Sequence, residues 1–399
     1  MTASPLPGTR TARGRRREPT AADAVVIGGG ASGHLLLQAL ARSSWGRGRR
    51  VVLVDPRGGD VNGRCWAFWS PGPEPEARRC WDTLEVHARS TTRLLRPAGS
   101  RYWQVAGEDL LAATRAAVEG TAFEIVTGRA EAVHDVGGAR CPGGAVVDTD
   151  AGPIACDWVF DSVLRRPPDP LLCLHFAGAV VRTMKPLPHP DTATLIDDRV
   201  ADHDGFGFGY LLPLGDRDAF VEVTRFTTGR VEHLTEDLDA FARFRLPGCT
   251  PTGGAEQGRL DLTLPPRHRR LAPRVVAIGA AAGLVRASTG YGYTRMRADA
   301  FSIAASMDRH GHPFALSHPP RRHAWMDAVL AGLITRDPAA GMAAFAALFA
   351  RVDIDRVLAF LDGATTLGQD ARMARALPLR PFLRAAAHTP VRTHAPDAA

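Results

Sequence analysis

Residues 22–43 read ADAVVIGGGASGHLLLQALARS, and this stretch decides the fold. The apolar run 24–27 is typical of a buried strand, and Gly28, Gly30 and Gly33 follow it in G-x-G-x-x-G spacing. Glycines at this spacing permit a tight turn and let the backbone approach a pyrophosphate, which faces the N-terminus of the next helix. The leucines and alanines of 35–40 supply that helix. The stretch therefore predicts a nucleotide-binding unit with these three glycines at the cofactor.

The next strand ends in an acid. Residues 49–56 read RRVVLVDP, and the carboxylate of Asp55 at such a position suits the hydroxyl pair of a ribose. NAD and FAD both use this arrangement, so the motif does not choose between them. The chain has one such unit and no clear acid–base pair for handling a hydride. An FAD enzyme is therefore the better fit.

Two later segments predict a return to the nucleotide domain. Residues 156–162, CDWVFDS, are typical of a strand that ends in Asp161. The strand predicted at 275–278 is broken by Gly279, and a helix predicted to continue to Met307 follows a short loop. That loop contains Ser288, Thr289 and Gly290, whose backbone N–H groups could hold the carbonyl edge of a flavin ring. The alternative is a simple helix cap, and both interpretations can hold.

Composition is ordinary for a globular protein, but the charge is uneven. The 399 residues are 45% hydrophobic and 23% charged, with a net charge of +7. Much of the excess lies in residues 1–20, which predict a disordered basic tail. Such a tail can bind nucleic acid or anionic lipid, and a solubilising extension is the more common explanation. No apolar run is long enough to span a bilayer. The six cysteines form no CxxC pair and the fourteen histidines show no ligand spacing, so no metal site is predicted.

A hairpin is predicted in the middle of the chain. Residues 205–226 read GFGFGYLLPLGDRDAFVEVTRF, with GDRD as the turn. Alternation places Glu222 on one face with apolar neighbours, and Phe208 lies on the equivalent face of the first strand. A buried carboxyl group tends to keep its proton and can then donate it. The alternative, a structural salt bridge to Arg225 or Arg199, is not excluded by the pattern.

The last third predicts helices. Asp337 is the expected N-cap of the first long one, with Pro338 as its first residue, and an apolar stripe follows at helical spacing. Residues 373–387, MARALPLRPFLRAAA, mix arginine with leucine and phenylalanine. These helices are expected to cover a pocket or to lie on a membrane surface. Core packing is the more common explanation of such a stripe.

Five blocks, in order, resemble the FAD-containing lycopene cyclases of bacteria and plants. The similarity covers residues from about 22 to about 382 and is carried by VNGRCWAFWS, CDWVFDS, HPDTATLIDDRV, AFVEVTRFT and VRASTGYGYTRM. It implies an α/β fold with an α+β substrate part: a Rossmann-like FAD-binding domain, an antiparallel substrate-binding sheet and a C-terminal helical cap. We assign residues 22–60, 100–165 and 266–310 to the first, 61–99 and 166–265 to the second, and 311–385 to the cap, between tails 1–21 and 386–399.

The resemblance also implies a reaction. The family closes the acyclic ends of a carotene into rings without net redox change, which makes it an isomerase of the intramolecular lyase type. It needs reduced FAD, with NAD(P)H as the usual electron donor. Glu222 matches the essential glutamate of the family, and Asp197 is the second candidate acid. Arg64 joins the predicted FAD residues, and the predicted walls of the apolar tunnel are Trp66, Phe68, Trp69, Phe208, Tyr291 and Tyr293.

The substrate stays open at this point. The family's NDR block has Gly63 in place of its acid, and LHFAGA (174–179) lacks a glutamine and a tryptophan that the family carries. A cyclase of another isoprenoid, an FAD-dependent monooxygenase or reductase of a lipid, and a non-catalytic FAD or carotenoid-binding protein are the alternatives. Because carotenes are confined to membranes, we expect a cytoplasmic protein that binds peripherally to the inner membrane face, with no nucleic-acid partner.

Overall fold

The computed structural model describes residues 20–138, 141–163, 170–200, 205–253, 255–264, 269–316 and 320–389. The predicted basic tail lies outside the described residues, apart from its last two positions. Those two residues, Thr20 and Ala21, are not tail but the start of the first strand, where they pair with Ile154 and Ala155.

The described residues form nineteen strands, nine α-helices and one short 3-10 helix at Gly279–Ala282. The strands are β1 (Thr20–Ile27), β2 (Arg50–Asp55), β3 (Cys65–Ser70), β4 (Arg79–Trp81), β5 (Thr83–Ala88), β6 (Thr91–Leu95), β7 (Arg101–Ala106), β8 (Ala122–Thr127), β9 (Ala130–Gly138), β10 (Cys141–Thr149), β11 (Gly152–Asp161), β12 (Leu172–Arg182), β13 (Thr192–Asp197), β14 (Phe206–Pro213), β15 (Asp218–Thr227), β16 (Thr250–Pro251), β17 (Glu256–Leu262), β18 (Arg270–Ala272) and β19 (Val275–Ala277). The helices are α1 (Ala31–Arg42), α2 (Gly107–Val118), α3 (Leu234–Arg245), α4 (Tyr293–His310), α5 (Arg321–Arg336), α6 (Pro338–Arg351), α7 (Ile354–Leu361), α8 (Leu367–Ala376) and α9 (Leu379–Ala387).

The first sheet is the predicted nucleotide-binding sheet. Its order is β18-β19-β11-β1-β2-β8, and the five strands from β19 to β8 run parallel. The apolar runs of β1 and β2 are buried, as expected for strands covered on both faces. Ile27 lies beside Val54 on one side and Asp161 on the other, so the glycine turn begins where the carboxyl ends of three strands meet.

The second sheet is largely antiparallel and contains the predicted hairpin. Its order is β16-β12-β15-β14-β13-β5-β6, with β17 also paired to β12 and with β13 and β5 parallel. One face packs on α3, because Val221 and Val223 share an apolar cluster with Phe241. The other face packs on the C-terminal helices, and Glu222 lies on that side. The alternation read from the sequence is therefore confirmed on both strands of the hairpin.

A third sheet, β3-β7-β4, contains the tryptophan-rich stretch. Its middle strand comes from residues that we assigned to the FAD-binding domain, whereas β3 and β4 come from residues assigned to the substrate domain. Phe68 lies opposite Trp103, and Trp69 lies opposite Tyr102. This small sheet therefore joins the two predicted domains across residue 100.

The C-terminal helices cover the second sheet. The Asp337 carboxylate accepts the Ala340 N–H at 2.9 Å and Pro338 opens α6, as predicted. The apolar stripe of α6 is core, because Phe345, Leu348 and Phe349 are buried in the cluster that also holds Phe206. Within the described residues, every helix is too short or too polar to cross a bilayer.

Candidate functional site

The glycine turn has the geometry that a pyrophosphate needs. Gly28 has φ +96°, and a Cβ there would lie 2.2 Å from Ser162 Oγ. A Cβ on Gly33 would lie 2.1 Å from the carbonyl oxygen of Gly28, so the helix packs directly on the turn. Gly30 differs, because a Cβ there would meet no atom within 4 Å. Gly30 is also the N-cap of α1 without a side-chain cap, which leaves helix N–H groups available to an anion at an open position.

Asp55 closes the loop next to the turn. Its carboxylate accepts the N–H groups of Gly29 at 2.9 Å, Arg57 at 2.8 Å and Gly59 at 3.4 Å, and the side chain is buried. The carboxylate thus holds the glycine turn against the residues after β2. Contact between Asp55 and a ribose stays a prediction, and it would add to these three hydrogen bonds.

Asp161 and Gly279 bring the distant segment back to the turn. The Asp161 carboxylate accepts the Val163 N–H at 2.9 Å, while its carbonyl accepts the Ile278 N–H at 2.9 Å. Gly279 has φ +59°, and a Cβ there would lie 2.4 Å from Ser32 Oγ in the first turn of α1. The predicted return of the chain to the nucleotide site is therefore seen in the structure.

The structure of the loop before α4 corrects the interpretation of this loop as a helix cap. Ser288 and Thr289 do not cap the helix, because α4 begins at Tyr293 with Gly292 as its N-cap and runs on past Met307 to His310. The Ser288 hydroxyl instead donates to Asp327 at 2.7 Å, within a buried group that ties this loop to α5.

The rest of the loop leaves a polar atom for a ligand. The Thr289 hydroxyl is buried and has no hydrogen-bond partner among the described residues, which is the condition of a group that awaits a ligand. Gly290 has φ +79° and lies against Leu174 of the second sheet, where a Cβ would come within 2.6 Å of Leu174 Cδ2. The glycine turn, Gly279 and this loop together fit a flavin dinucleotide.

Glu222 stands in a row of residues that crosses four strands. Tyr210 lies opposite Glu222 on β14, Gly178 lies opposite Glu222 on β12, and Glu256 lies opposite Gly178 on β17. Cross-strand partners share a face, so all four lie on the side covered by the C-terminal helices. We call these four residues the central row. On the same face of β15, Phe220 and Thr224 are the neighbours of Glu222, and Phe226 follows Thr224.

The surroundings of Glu222 keep it protonated. Burial, followed by the neighbouring charge of Glu256, raises its pKa from 4.5 to about 8. The Glu222 side chain is enclosed by protein but keeps some accessible surface, and the same is true of the Tyr210 side chain. This combination is expected of groups that face an internal space. The salt-bridge alternative is wrong, because Arg225 pairs with Asp237 and Arg199 with Asp197.

The structure corrects the predicted role of Asp197, the second candidate acid. It lies opposite Gly209, and therefore on the α3 side of the sheet, away from Glu222. Burial favours its neutral form, but hydrogen bonds from Arg199 and the charge of Arg245 outweigh burial and lower its pKa. A buried carboxylate held by two arginines is a structural ion pair and not a proton donor.

The predicted aromatic wall divides into two groups. Trp69, Phe208 and Tyr291 belong to the Glu222 side, where the rings of Trp69 and Tyr291 meet edge to face at 4.7 Å and the hydroxyls of Tyr291 and Tyr210 lie 3.5 Å apart. The remaining three are not brought to Glu222. Trp66, Phe68 and Tyr293 pack within the nucleotide-binding part, where Phe68 stacks on Tyr293 at 4.6 Å.

Two acids of this region were missed by sequence reasoning. Glu256 pairs with Arg64 at 3.3 Å, which places the predicted FAD residue Arg64 at the central row. Asp362, at the end of α7, accepts the Thr294 hydroxyl at 3.0 Å, and burial raises its pKa to about 6. The alternation of Glu256, Gly258, Leu260 and Leu262 along β17 is the signal that would have identified the first. No local pattern marks Asp362, which reaches the site through packing of the cap.

Comparison with known proteins gives a family and a fold. The sequence profile of the family described as "Lycopene cyclase protein" matches residues 23–387. No curated protein matches the chain. A geranylgeranyl bacteriochlorophyll reductase-like protein from Thermoplasma acidophilum superposes with a TM-score of 0.62 at 14% identity, over 92% of this chain and 99% of that one.

Two further solved structures show the same architecture. A flavoprotein/dehydrogenase from Cytophaga hutchinsonii has a TM-score of 0.60 at 12% identity, over 92% of this chain and 99% of that one. A flavin-dependent brominase has a TM-score of 0.58 at 14% identity, over 92% and 100%. At these identities the similarity shows a shared mixed α/β fold, which confirms the predicted fold class.

Proposed function

Because the chain belongs to the lycopene cyclase family, we propose that it closes an acyclic end of a carotene into a ring without net oxidation or reduction. A β-ring is the proposed product. The observation that carries this proposal is Glu222, a carboxyl group kept protonated in an apolar and aromatic surrounding. Such a group can start a carbocation cyclisation, because a neutral acid donates a proton where no water competes for it.

The residues around Glu222, on the side of the second sheet covered by the C-terminal helices, support each requirement of such a reaction. The Glu222 carboxyl gives its proton to the terminal double bond of the polyene, and the next double bond attacks the resulting cation. Trp69 and Tyr291 lie on the Glu222 side, and aromatic rings of this kind stabilise a nearby cation by about 0.5–2 kcal/mol each. Phe208 and Tyr210, whose rings meet at 5.3 Å, extend the wall along β14 and exclude water. Loss of a ring proton then completes the isomerisation, so atoms and electrons balance.

We propose FAD as the cofactor, bound by the glycine turn, Asp55, Asp161, Gly279 and the loop 288–290. When bound in its reduced form, FAD supplies negative charge that stabilises a nearby cation. NAD(P)H is the proposed source of the electrons that keep FAD reduced. The substrate implies a membrane, and we propose that the protein binds the membrane surface from the cytoplasm.

Expression in cells that accumulate lycopene, followed by pigment chromatography, tests the proposal. We expect cyclic carotenes with the wild-type chain and unchanged lycopene with Glu222→Gln, which keeps the shape of the side chain but lacks the acid. In purified protein the same substitution should lower turnover at least about a hundredfold while FAD uptake is kept. Turnover of Glu222→Gln within a few-fold of wild type would exclude Glu222 as the acid.

A reductase or monooxygenase of an isoprenoid lipid is the second candidate, favoured by the fold shared with a reductase-like protein and a flavin-dependent brominase. Such an enzyme consumes electrons in every cycle, whereas a cyclase does not. We therefore expect protein that is reduced once, without oxygen, to cyclise many substrate molecules. Formation of only one product molecule for each molecule of reductant would support the second candidate instead.

A further inference from the structure

Glu222 and Glu256 lie on either side of Gly178 in the central row. Both lie opposite Gly178 in the central row, one on either side of β12, and both lie on the same face. A Cβ on Gly178 would come within 3.3 Å of Glu222 Cβ and 2.6 Å of the Phe220 ring. Residue 178 has no side chain, and the Phe220 ring lies where one would be, so β12 itself contributes no side chain between the two carboxyl groups.

Burial raises the pKa of the Glu256 carboxyl above its usual 4.5, and the charge and hydrogen bond of Arg64 oppose that rise and favour the ionised form. One of its oxygens, Oε1, lies 3.3 Å from Nη1 of Arg64, and the side chain is 8% exposed. The other oxygen, Oε2, is buried and has no hydrogen-bond partner among the described residues. Arg64 is 38% exposed and therefore hydrated, so it compensates the carboxylate only in part. The remaining negative charge acts on its surroundings inside the protein.

The other titratable groups around Glu222 are neutral near pH 7. They are Tyr210 on β14, Cys65 on β3, Tyr102 on β7 and Tyr291 in the loop before α4. Burial is the main cause in each, and it raises the pKa of Cys65 and of Tyr291 to about 12. Among the described groups that face Glu222, Glu256 is therefore the source of charge. The charge of Asp362 raises the pKa of Tyr291, whereas the charge that raises the pKa of Glu222 is that of Glu256.

We propose that Glu256, whose ionised form Arg64 stabilises, is a positioning residue that helps to hold the proton on Glu222 by like-charge repulsion and so sets the pH range over which the acid works. This inference rests on the proposed function, in which Glu222 donates that proton. Deprotonating Glu222 would place two carboxylates on the same face of the sheet, two strands apart, in an interior of low polarity, which is unfavourable. After each cycle the same repulsion favours the return of a proton to Glu222.

The test is the pH dependence of turnover in the FAD-loaded protein. Wild type should lose activity with a midpoint near the pKa of Glu222, about 8. Glu256→Gln removes the repulsion and should move this alkaline limb to lower pH by about one unit, as expected for charges two strands apart in a protein interior. At pH 6, where Glu222 stays protonated in both proteins, their rates should agree within a few-fold.

Two variants control for other effects. Glu256→Asp keeps the charge and should keep the alkaline limb near its wild-type position. Asp261→Asn removes one negative charge from the same strand, but on its opposite face, and should leave the limb unmoved. If Glu256→Gln does not fold, Glu256→Met carries the same expectation. An unmoved limb in the neutral variants, or loss of activity at every pH, would overturn the positioning role.

A second measurement separates this inference from the proposed function. Infrared titration can follow the protonated carboxyl band of Glu222 without substrate, and the band is identified by its absence in Glu222→Gln. We expect its midpoint to fall by about one pH unit in Glu256→Gln, in line with the same charge separation. If wild type cyclises no carotene but the midpoint shifts, the proposed function fails and the coupling stands. If carotene is cyclised and the midpoint does not move, the coupling fails alone.

Discussion

The two acids that the sequence offers as candidate proton donors are in opposite protonation states in the structure. The charged residue nearest to each acid determines which state it adopts. Glu222 lies beside Phe220 and is affected by the charge of a second carboxylate, so burial and repulsion favour its neutral form. Asp197 is fully buried but pairs with two arginines, which favour its charged form. Burial alone therefore does not make a proton donor. The charge of the nearest partner determines whether a buried carboxyl group keeps its proton or gives it up.

Protonation of Glu222 has a cost in stability that can be measured. Its folded pKa of about 8 exceeds the ordinary 4.5, so the folded protein holds a proton that the unfolded chain releases. The contribution of this group to the free energy of unfolding is fully present below about pH 4.5 and is lost as the pH rises toward 8. Glu222→Gln carries no such proton, so at pH 7 we expect the variant to exceed wild type by on the order of 1–3 kcal/mol in the free energy of unfolding.

Urea unfolding of both proteins at pH 5 and pH 8 gives the comparison. The difference should grow with pH, and Glu119→Gln, at an exposed site after α2, should show no such growth. A pH-independent difference between Glu222→Gln and wild type would contradict a raised pKa.

The glycine turn offers a matched pair of substitutions. Gly30 has space for a side chain and extended backbone angles, φ −78° and ψ −174°, so Gly30→Val should fold. Its side chain would occupy the open position where a pyrophosphate is expected, and FAD uptake should be lost. Gly33→Ala should instead destabilise the fold, because the added Cβ meets a backbone oxygen at 2.1 Å. Flavin absorbance and circular dichroism distinguish the two, and normal FAD uptake by Gly30→Val would defeat the assignment.

At the scale of elements, a buried ion pair ties the cap to the loop that carries Thr289. Arg286 donates to Asp327 at 3.0 and 2.5 Å and to the Phe360 carbonyl at 2.9 Å. Asp327 thus holds both Arg286 and Ser288 against α5, and Arg286 reaches α7. The proposed flavin loop and the cap are therefore expected to order together.

Asp327→Asn tests this link. The substitution leaves Arg286, which is 3% exposed, without its counter-charge, and we expect a loss of about 3–5 kcal/mol in the free energy of unfolding. Asp218→Asn is the control, since its partner Arg182 is 62% exposed and such a pair contributes about 0–1 kcal/mol. Similar losses in the two variants would show that burial of the Arg286 pair adds nothing.

The last helix is the described element best suited to a membrane surface. The apolar stripe of α6 is buried in the core. In α9, however, Leu379 and Leu383 are 57% and 66% exposed beside Arg380 and Arg384. We expect Leu383→Asp to weaken partition onto vesicles that contain anionic lipid by about tenfold or more, from the lost burial of one leucine. Phe244→Asp, exposed on α3 across the sheet, should partition like wild type. Equal partition of both variants would remove α9 from the membrane contact.

For the whole molecule, local patterns predicted most elements, and packing between distant segments set the rest. Glycine spacing and apolar runs identified β1, β2 and α1, and alternation identified the hairpin around Glu222. Alternation within β3 also separates Trp66 and Phe68 from Trp69, but it cannot say which face meets Glu222. Glu256 reaches the site through strand register and Asp362 through packing of the cap, and local alternation marks the face of Glu256 but not the strand beside which it lies. The sequence therefore predicted the acid, while its charged neighbour required the structure.

The nucleotide-binding sheet has a consequence for how the protein is made. Its strand β11 ends at Asp161, whereas its neighbour β19 begins only at Val275. A ribosome that adds about 5–20 residues per second takes roughly 6–20 s to reach that strand. During this interval the hairpin with Glu222 has already been synthesised, but Gly279 is not yet present to pack against Ser32. The growing chain thus completes its acid-bearing sheet before its cofactor site, and capture of the proposed flavin would have to wait until β19 and Gly279 have been synthesised.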